Sequence, residues 1–336
     1  MSKETETIIP FHAGGGGEEE NDDDEGPYIY NGDEFESVPE SVVHAVVMEG
    51  VEEIPFKAFM QKGSLETIAL PNGLKTIGRC AFTRCRKLSS VTIPSTVEWI
   101  DDRAFSGCSS LENVVFLPGS RLKTIGPHAF GDCEKLTNLK MPDTVESFGS
   151  MAFYGCVKLR KLTIPKSLVT IGSAAFCNCS GLESVDLRHL KDDGCLRQIS
   201  TQSFQGCTRL SEITIPETVT SIGDNVFFKS VGCLVTIFAA SPILDPKIRR
   251  PAAVGYGVFR DCIVRIADPS GVLDGVKLGA AVADHCGRRA FRGCAGIDVF
   301  GSTDPSLWNL FLERYADSPS YIYYFMKNHV SEICCR

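Results

Sequence analysis

Residues 88–108 read LSSVTIPSTVEWIDDRAFSGC, and the chain returns to this phrase throughout its length. In general form it is LxxVxIPxxVxxIGxxAFxxC, carried here by Leu88, Val91, Ile93, Pro94, Val97, Ile100, Ala104, Phe105 and Cys108. The motif phenylalanines are Phe59, Phe82, Phe105, Phe130, Phe153, Phe176, Phe204, Phe227, Phe259 and Phe291, at separations of 23, 23, 25, 23, 23, 28, 23, 32 and 32. A period of this size means one supersecondary unit per repeat, unable to bury its apolar side until a neighbour stacks on it. The expected fold is an elongated, predominantly β solenoid of about ten coils.

Within one coil, Leu159, Leu162 and Ile164 alternate with Lys161 and Thr163, the period-two pattern of a half-buried strand. Pro165 closes it, because proline cannot donate to a ladder. Leu168 and Ile171 mark a second extended edge, and Gly172 is read as a sharp corner. Ala175, Phe176, Cys179 and Leu182 follow at a spacing that predicts a short helical turn.

These residues make the chain similar to leucine-rich repeat proteins of the BspA-like class, whose units carry the same phrase. The resemblance covers roughly residues 42–300 and is strongest between Leu65 and Cys207. It implies a curved solenoid used for protein binding or adhesion, with no catalytic residues.

Three segments are expected. Residues 1–36 hold twelve acids and one lysine, so the remainder of a chain of net charge −8 lies near +3. Such a leader cannot bury enough apolar surface to order itself and reads as disordered and solubilising, or as an acidic interaction arm. Residues 37–300 form the leucine-rich repeat solenoid, with rim insertions at 116–122 and 187–196 and longer additions after Phe227 and Phe259. Residues 301–336 carry Asp304-Pro305 and Ser318-Pro319 and read as a helical C-terminal cap.

Eight cysteines, Cys85, Cys108, Cys133, Cys156, Cys179, Cys207, Cys262 and Cys294, stand three residues after the motif phenylalanine. One per coil implies a buried structural thiol, with neither disulfide nor zinc expected. The six histidines fall at unrelated phases of the repeat and the glycines recur as corners, so no catalytic residue, cofactor site or metal site is assigned. A near-neutral body argues against nucleic acid as partner. With no apolar signal-like stretch and no run long enough to span a membrane, the expected address is cytoplasmic or nuclear. A surface or secreted adhesin is the alternative, and an enzyme of unknown class a second one.

In such a strand the apolar groups point inward, so the residues between them face out. The candidate protein-binding face is Thr67, Ser90, Thr92, Asn113, Asn138, Lys140, Lys161, Thr163, Ser184, Asp186, Glu212 and Thr214. Threonine suits any exposed strand, so two readings stand: an ordinary solvated face, or a shallow polar docking surface for a protein whose identity the sequence does not give. The oligomeric state is likewise open.

Overall fold

Three short edges of every coil stack on those of the next, and each stack makes its own parallel ladder. The computed structural model describes residues 26–33, 36–187, 195–238, 254–267 and 296–300. In chain order the strands are β1 (Tyr28–Tyr30), β2 (His44–Val47), β3 (Glu53–Ile54), β4 (Thr67–Ala69), β5 (Thr76–Ile77), β6 (Ser90–Ile93), β7 (Trp99–Ile100), β8 (Asn113–Phe116), β9 (Thr124–Ile125) and β10 (Asn138–Leu139). They continue as β11 (Ser147–Phe148), β12 (Lys161–Thr163), β13 (Thr170–Ile171), β14 (Ser184–Asp186), β15 (Gln198–Ile199), β16 (Glu212–Ile215), β17 (Ser221–Ile222), β18 (Leu234–Phe238), β19 (Ile263–Ala267) and β20 (Gly296–Phe300).

The first ladder runs β1-β2-β4 and then from β6 through β8, β10, β12, β14, β16, β18 and β19 to β20. The Ser89 N–H bridges its two parts by donating to the Glu66 carbonyl at 3.4 Å. The second ladder is eight-stranded, from β3 to β17. Among the described residues eight turns carry both strands, β2 with β3 through β16 with β17, against an expectation of about ten. The first ladder also starts earlier than expected, inside the stretch read as leader. Tyr30 is wholly buried and meets Phe59 edge-on at 5.1 Å, so β1 covers the open end of the aromatic column. Its signal, a lone apolar alternation, sits in acid-rich sequence. The C-terminal helical cap and Phe291 lie outside the described residues.

The return segment differs from the short helical turn expected. The residue two before each described motif phenylalanine has positive φ, as at Cys80 (57°), Arg103 (57°), His128 (52°) and Met151 (58°). A left-handed residue at that spacing interrupts a right-handed helix. Alternate N–H groups therefore close turns within the coil, Ala81 to Gly78 O and Thr83 to Cys80 O, both at 3.1 Å. The others leave the coil: Cys80, Phe82 and Arg84 donate to the carbonyls of Asp102, Ala104 and Ser106 at 2.9, 2.7 and 2.7 Å. These bonds repeat from coil to coil and form a third ladder, with each N–H donating to the coil that follows.

Inside the three ladders the phenylalanines stack as a column. Phe59, Phe82, Phe105, Phe130, Phe153, Phe176, Phe204 and Phe227 follow one another at centroid distances of 5.1–5.9 Å, with planes within 16° of parallel. This is near the strand spacing of about 4.8 Å, so one coil rise serves both the ladder and the rings.

The motif cysteine has a specific task. Each described motif thiol donates to the carbonyl of the motif phenylalanine one coil back, Cys85 to Phe59 O at 3.0 Å, Cys108 to Phe82 O at 3.1 Å and Cys156 to Phe130 O at 3.2 Å. Where serine replaces it, the Ser230 hydroxyl makes the same bond to Phe204 O at 2.8 Å. Gly172, read from sequence as a corner, is required for a different reason: a Cβ there would lie 2.5 Å from the Phe148 carbonyl oxygen. Its φ is not in the left-handed region, so close approach between coils, and not an unusual turn, selects glycine.

Candidate interaction face

The first ladder lines up two rows of positions on its outer face, because successive strands pair in register. One row runs Ser90, Asn113, Asn138, Lys161, Ser184, Glu212 and Leu234. The other contains Thr92 opposite Val115, Thr163 opposite Asp186, and Thr214 opposite Thr236. Alternation along each strand decides the facing: β6 reads exposed, buried, exposed, buried over Ser90, Val91, Thr92 and Ile93.

Thr67, Ser90, Thr92, Asn113, Lys140, Lys161, Thr163, Ser184 and Glu212 are exposed, and Thr214 is half-buried. Asn138 and Asp186 occupy their register positions in β10 and β14, and their side chains fall outside the described residues. His44 extends the first row: it pairs with Thr67, and its Nδ1 lies 2.8 Å from Thr67 Oγ1. The sequence reading passed over it because β2 belongs to a degenerate coil. Val115, 49% exposed opposite Thr92, is an apolar point within the polar ribbon.

The second ladder carries a different pattern. Glu52, Lys75, Glu98, Lys123 and Glu146 precede strands that pair in register, so charges alternate in sign from coil to coil. Lys75 Nζ meets Glu52 Oε1 at 2.7 Å. Exposed pairs of this kind stabilise by only about 0–1 kcal/mol each, yet they compensate charge along that face. Trp99, 44% exposed, and Phe56, 55% exposed under Lys57 Nζ at 4.7 Å from the ring centroid, are exposed aromatic points outside the first ladder among the described residues.

Chemistry inside the coil is muted. Burial pushes the Cys156 thiol up to about 12, and burial likewise raises Cys133, Cys179 and Cys108 well above the ordinary thiol value. Such groups stay protonated and serve as hydrogen-bond donors. His128 is half-buried at a left-handed position of the third ladder. His12, His189, His285 and His329 lie outside the described residues. No helix among the described residues is long and apolar enough to cross a membrane.

Parallel ladders, a stacked aromatic column and a recurring side-chain donor, cysteine in most coils, define a leucine-rich repeat solenoid. The family model described as BspA type leucine-rich repeat region, in six copies, matches residues 52–183 and 115–234, more than half of the chain. The chain belongs to this BspA-type leucine-rich repeat family. Among solved structures, a leucine-rich repeat protein from Bacteroides ovatus shares the fold with a TM-score of 0.50 and 22% identity, over 82% of this chain and 69% of that one. A leucine-rich repeat protein of T. pallidum is 25% identical over 66% of this chain and 75% of its own, with a TM-score of 0.39. A leucine rich cell surface protein from Faecalibacterium prausnitzii is 21% identical over 80% and 81%, with a TM-score of 0.32. The search of curated proteins returned no match.

Proposed function

We propose that this protein is a non-catalytic scaffold that binds a protein partner through the outward face of its first ladder. The observation that carries the reading is the in-register exposed ribbon from Thr67 to Glu212, held rigid from behind by the phenylalanine column, with Lys140 and Lys161 outside any ion pair among the described residues. A rigid face loses little entropy on binding, and cations without partners lose no internal pair when a ligand covers them. With no aromatic among the named face residues to act as an anchor, the partner is one held weakly or by several contacts at once.

The test is a pull-down from native cells with wild-type protein and with the double variant Lys140→Glu/Lys161→Glu, beside a thermal melt of each. Loss of a specific partner with an unchanged melt supports the face; retention of every partner removes it. We place the protein inside the cell, in the cytoplasm or nucleus, because its motif thiols act as hydrogen-bond donors to coil carbonyls, a role that oxidation would abolish. Cell fractionation checks this, and recovery at the cell surface would replace it with the adhesin alternative.

A further inference from the structure

The proposed face is not uniform in charge. Lys140 just after β10, Lys161 on β12 with Arg160 just before it, and Lys135 and Lys158 at the rim where these strands begin are all exposed. None of the five forms an ion pair among the described residues. Neighbouring acids only partly offset them. Glu112 and Glu134 are exposed on the same rim, Glu183 is engaged with Arg209 at 3.8 Å, and Asp143 accepts from the Lys166 N–H at 3.3 Å. Asp186 holds the register position beside Thr163.

The chain contains one segment of matching chemistry. Between residues 18 and 25 seven of eight are acidic, Glu18, Glu19, Glu20, Asp22, Asp23, Asp24 and Glu25. Only Gly26 and Pro27 separate this run from β1, the first strand of the same ladder. All strands of the ladder are parallel, so the chain arrives at β1 from the rim that carries Lys135 and Lys158. From β1 to β12 is six strand steps, roughly 29 Å at the usual spacing of about 4.8 Å. Ten extended residues, Glu18 to Tyr28, span at most roughly 33–36 Å. A fully extended run is therefore long enough for Glu18 and Glu19 to reach the level of β12 and for Glu20 to reach that of β10.

We infer that the acidic run docks in cis on the Lys135–Lys140–Lys158–Arg160–Lys161 patch and covers part of the partner-binding face. This rests on the reading of that face as the binding surface. A tether this short holds the run at an effective concentration on the order of 1 mM. Partners of acidic character must compete with it, and raised salt releases it because the charges are exposed.

Zero-length carbodiimide crosslinking of the full chain tests the contact: a carboxylate is activated, a lysine amine attacks it, an amide forms and the carbodiimide leaves as its urea. The expected products join Glu18, Glu19 or Glu20 to Lys140, Lys158 or Lys161 within the monomer band, and fall at least fivefold in 0.5 M salt. Lys140→Glu/Lys161→Glu removes the joins to those positions, with its melt confirming an intact fold. A second measurement uses a labelled deca-glutamate peptide. The variant Glu18→Gln/Glu19→Gln/Glu20→Gln binds it about five- to tenfold more tightly than wild type, as expected when a millimolar internal competitor is weakened. Crosslinks that are absent, that go only to other lysines, or that occur only in a dimer band overturn the inference, as does equal affinity of both proteins for the peptide. If the cis contact fails in this way while the pull-down still loses its partner in the double lysine variant, the face survives and only its internal occupant is lost.

Discussion

Replacing Phe130 by alanine probes the element on which the whole stack depends. Phe130 is wholly buried, with Phe105 at 5.3 Å on one side and Phe153 at 5.6 Å on the other, both rings within 4° of parallel to it. Phe→Ala substitutions in cores cost about 3–5 kcal/mol, more where the surroundings cannot close on the cavity. Here they cannot. The backbone on each side is pinned by Phe105 N–H to Ala129 O and Phe130 N–H to Ala152 O, both at 2.8 Å. The expected loss is thus near the upper end, about 4–5 kcal/mol, including two ring contacts of about 0.5–1.5 kcal/mol each. Phe59→Ala removes a ring stacked on one side only, with Tyr30 edge-on at the other, and should cost less, about 3 kcal/mol. Urea unfolding followed by far-UV circular dichroism measures both, with the m-value checked because repeat arrays can lose two-state behaviour. A loss under about 1 kcal/mol for Phe130→Ala at unchanged m, or a larger loss for Phe59→Ala, refutes the aromatic column as the source of cohesion.

Cys133→Ser should change stability by less than about 1 kcal/mol, since a hydroxyl can replace the thiol bond to Phe105 O as Ser230 does toward Phe204, whereas Cys133→Val should cost about 1–3 kcal/mol by leaving that carbonyl without its side-chain donor; chemical denaturation of the two variants separates them. Gly172→Ala should destabilise by about 1–3 kcal/mol, because its methyl carbon would lie 2.5 Å from Phe148 O and 2.6 Å from Gly149 C, and a drop in melting temperature measures it. Stability should fall as pH rises above about 9. There the unfolded chain loses thiol protons that the folded chain keeps until about 12 at Cys156, a slope of roughly 1.4 kcal/mol per pH unit for each such thiol, read by denaturant titrations between pH 8 and 10.5. At pH 8 a thiol reagent should modify exposed Cys195 in the native protein and leave Cys85 to Cys179 unreacted until denaturant is added.

The strands of the first two ladders were legible in the sequence because β burial has period two, and Leu159, Leu162 and Ile164 announce it. The third edge was not. Ala175, Phe176 and Cys179 have helical spacing, yet the signal that forbids a helix is a left-handed backbone at Ala174 and Asn178, and residue types at those positions vary from coil to coil. The burial of Cys85 and its relatives was readable from recurrence alone, but the acceptor was not, since it lies one coil away at a sequence distance of 26. Gly172 shows the same limit: its Cβ clash is with Phe148 and Gly149, a neighbour that exists only after stacking. For the candidate face, alternation picks out Thr67 to Thr214, Val115 among them, while His44 needed the register to appear.

The third ladder gives the molecule an electrical axis. Phe59 N–H meets Ala81 O, Phe82 N–H meets Ala104 O, Phe105 N–H meets Ala129 O, and the series continues through Phe227 N–H to Val258 O, each peptide accepting at one end and donating at the other in the same sense. This is the arrangement of peptide units in an α-helix, turned to run along the stack of coils. Aligned peptide dipoles of about 3.5 D add, so the ladder is negative toward its N-terminal end and positive toward its C-terminal end. At the C-terminal end of this ladder Asp261 Oδ2 accepts the Lys229 N–H at 3.2 Å. Unlike poles attract, so two such solenoids meeting end to end favour head-to-tail contact over head-to-head, and an array cut short at either end exposes a template that the opposite end of another copy can extend.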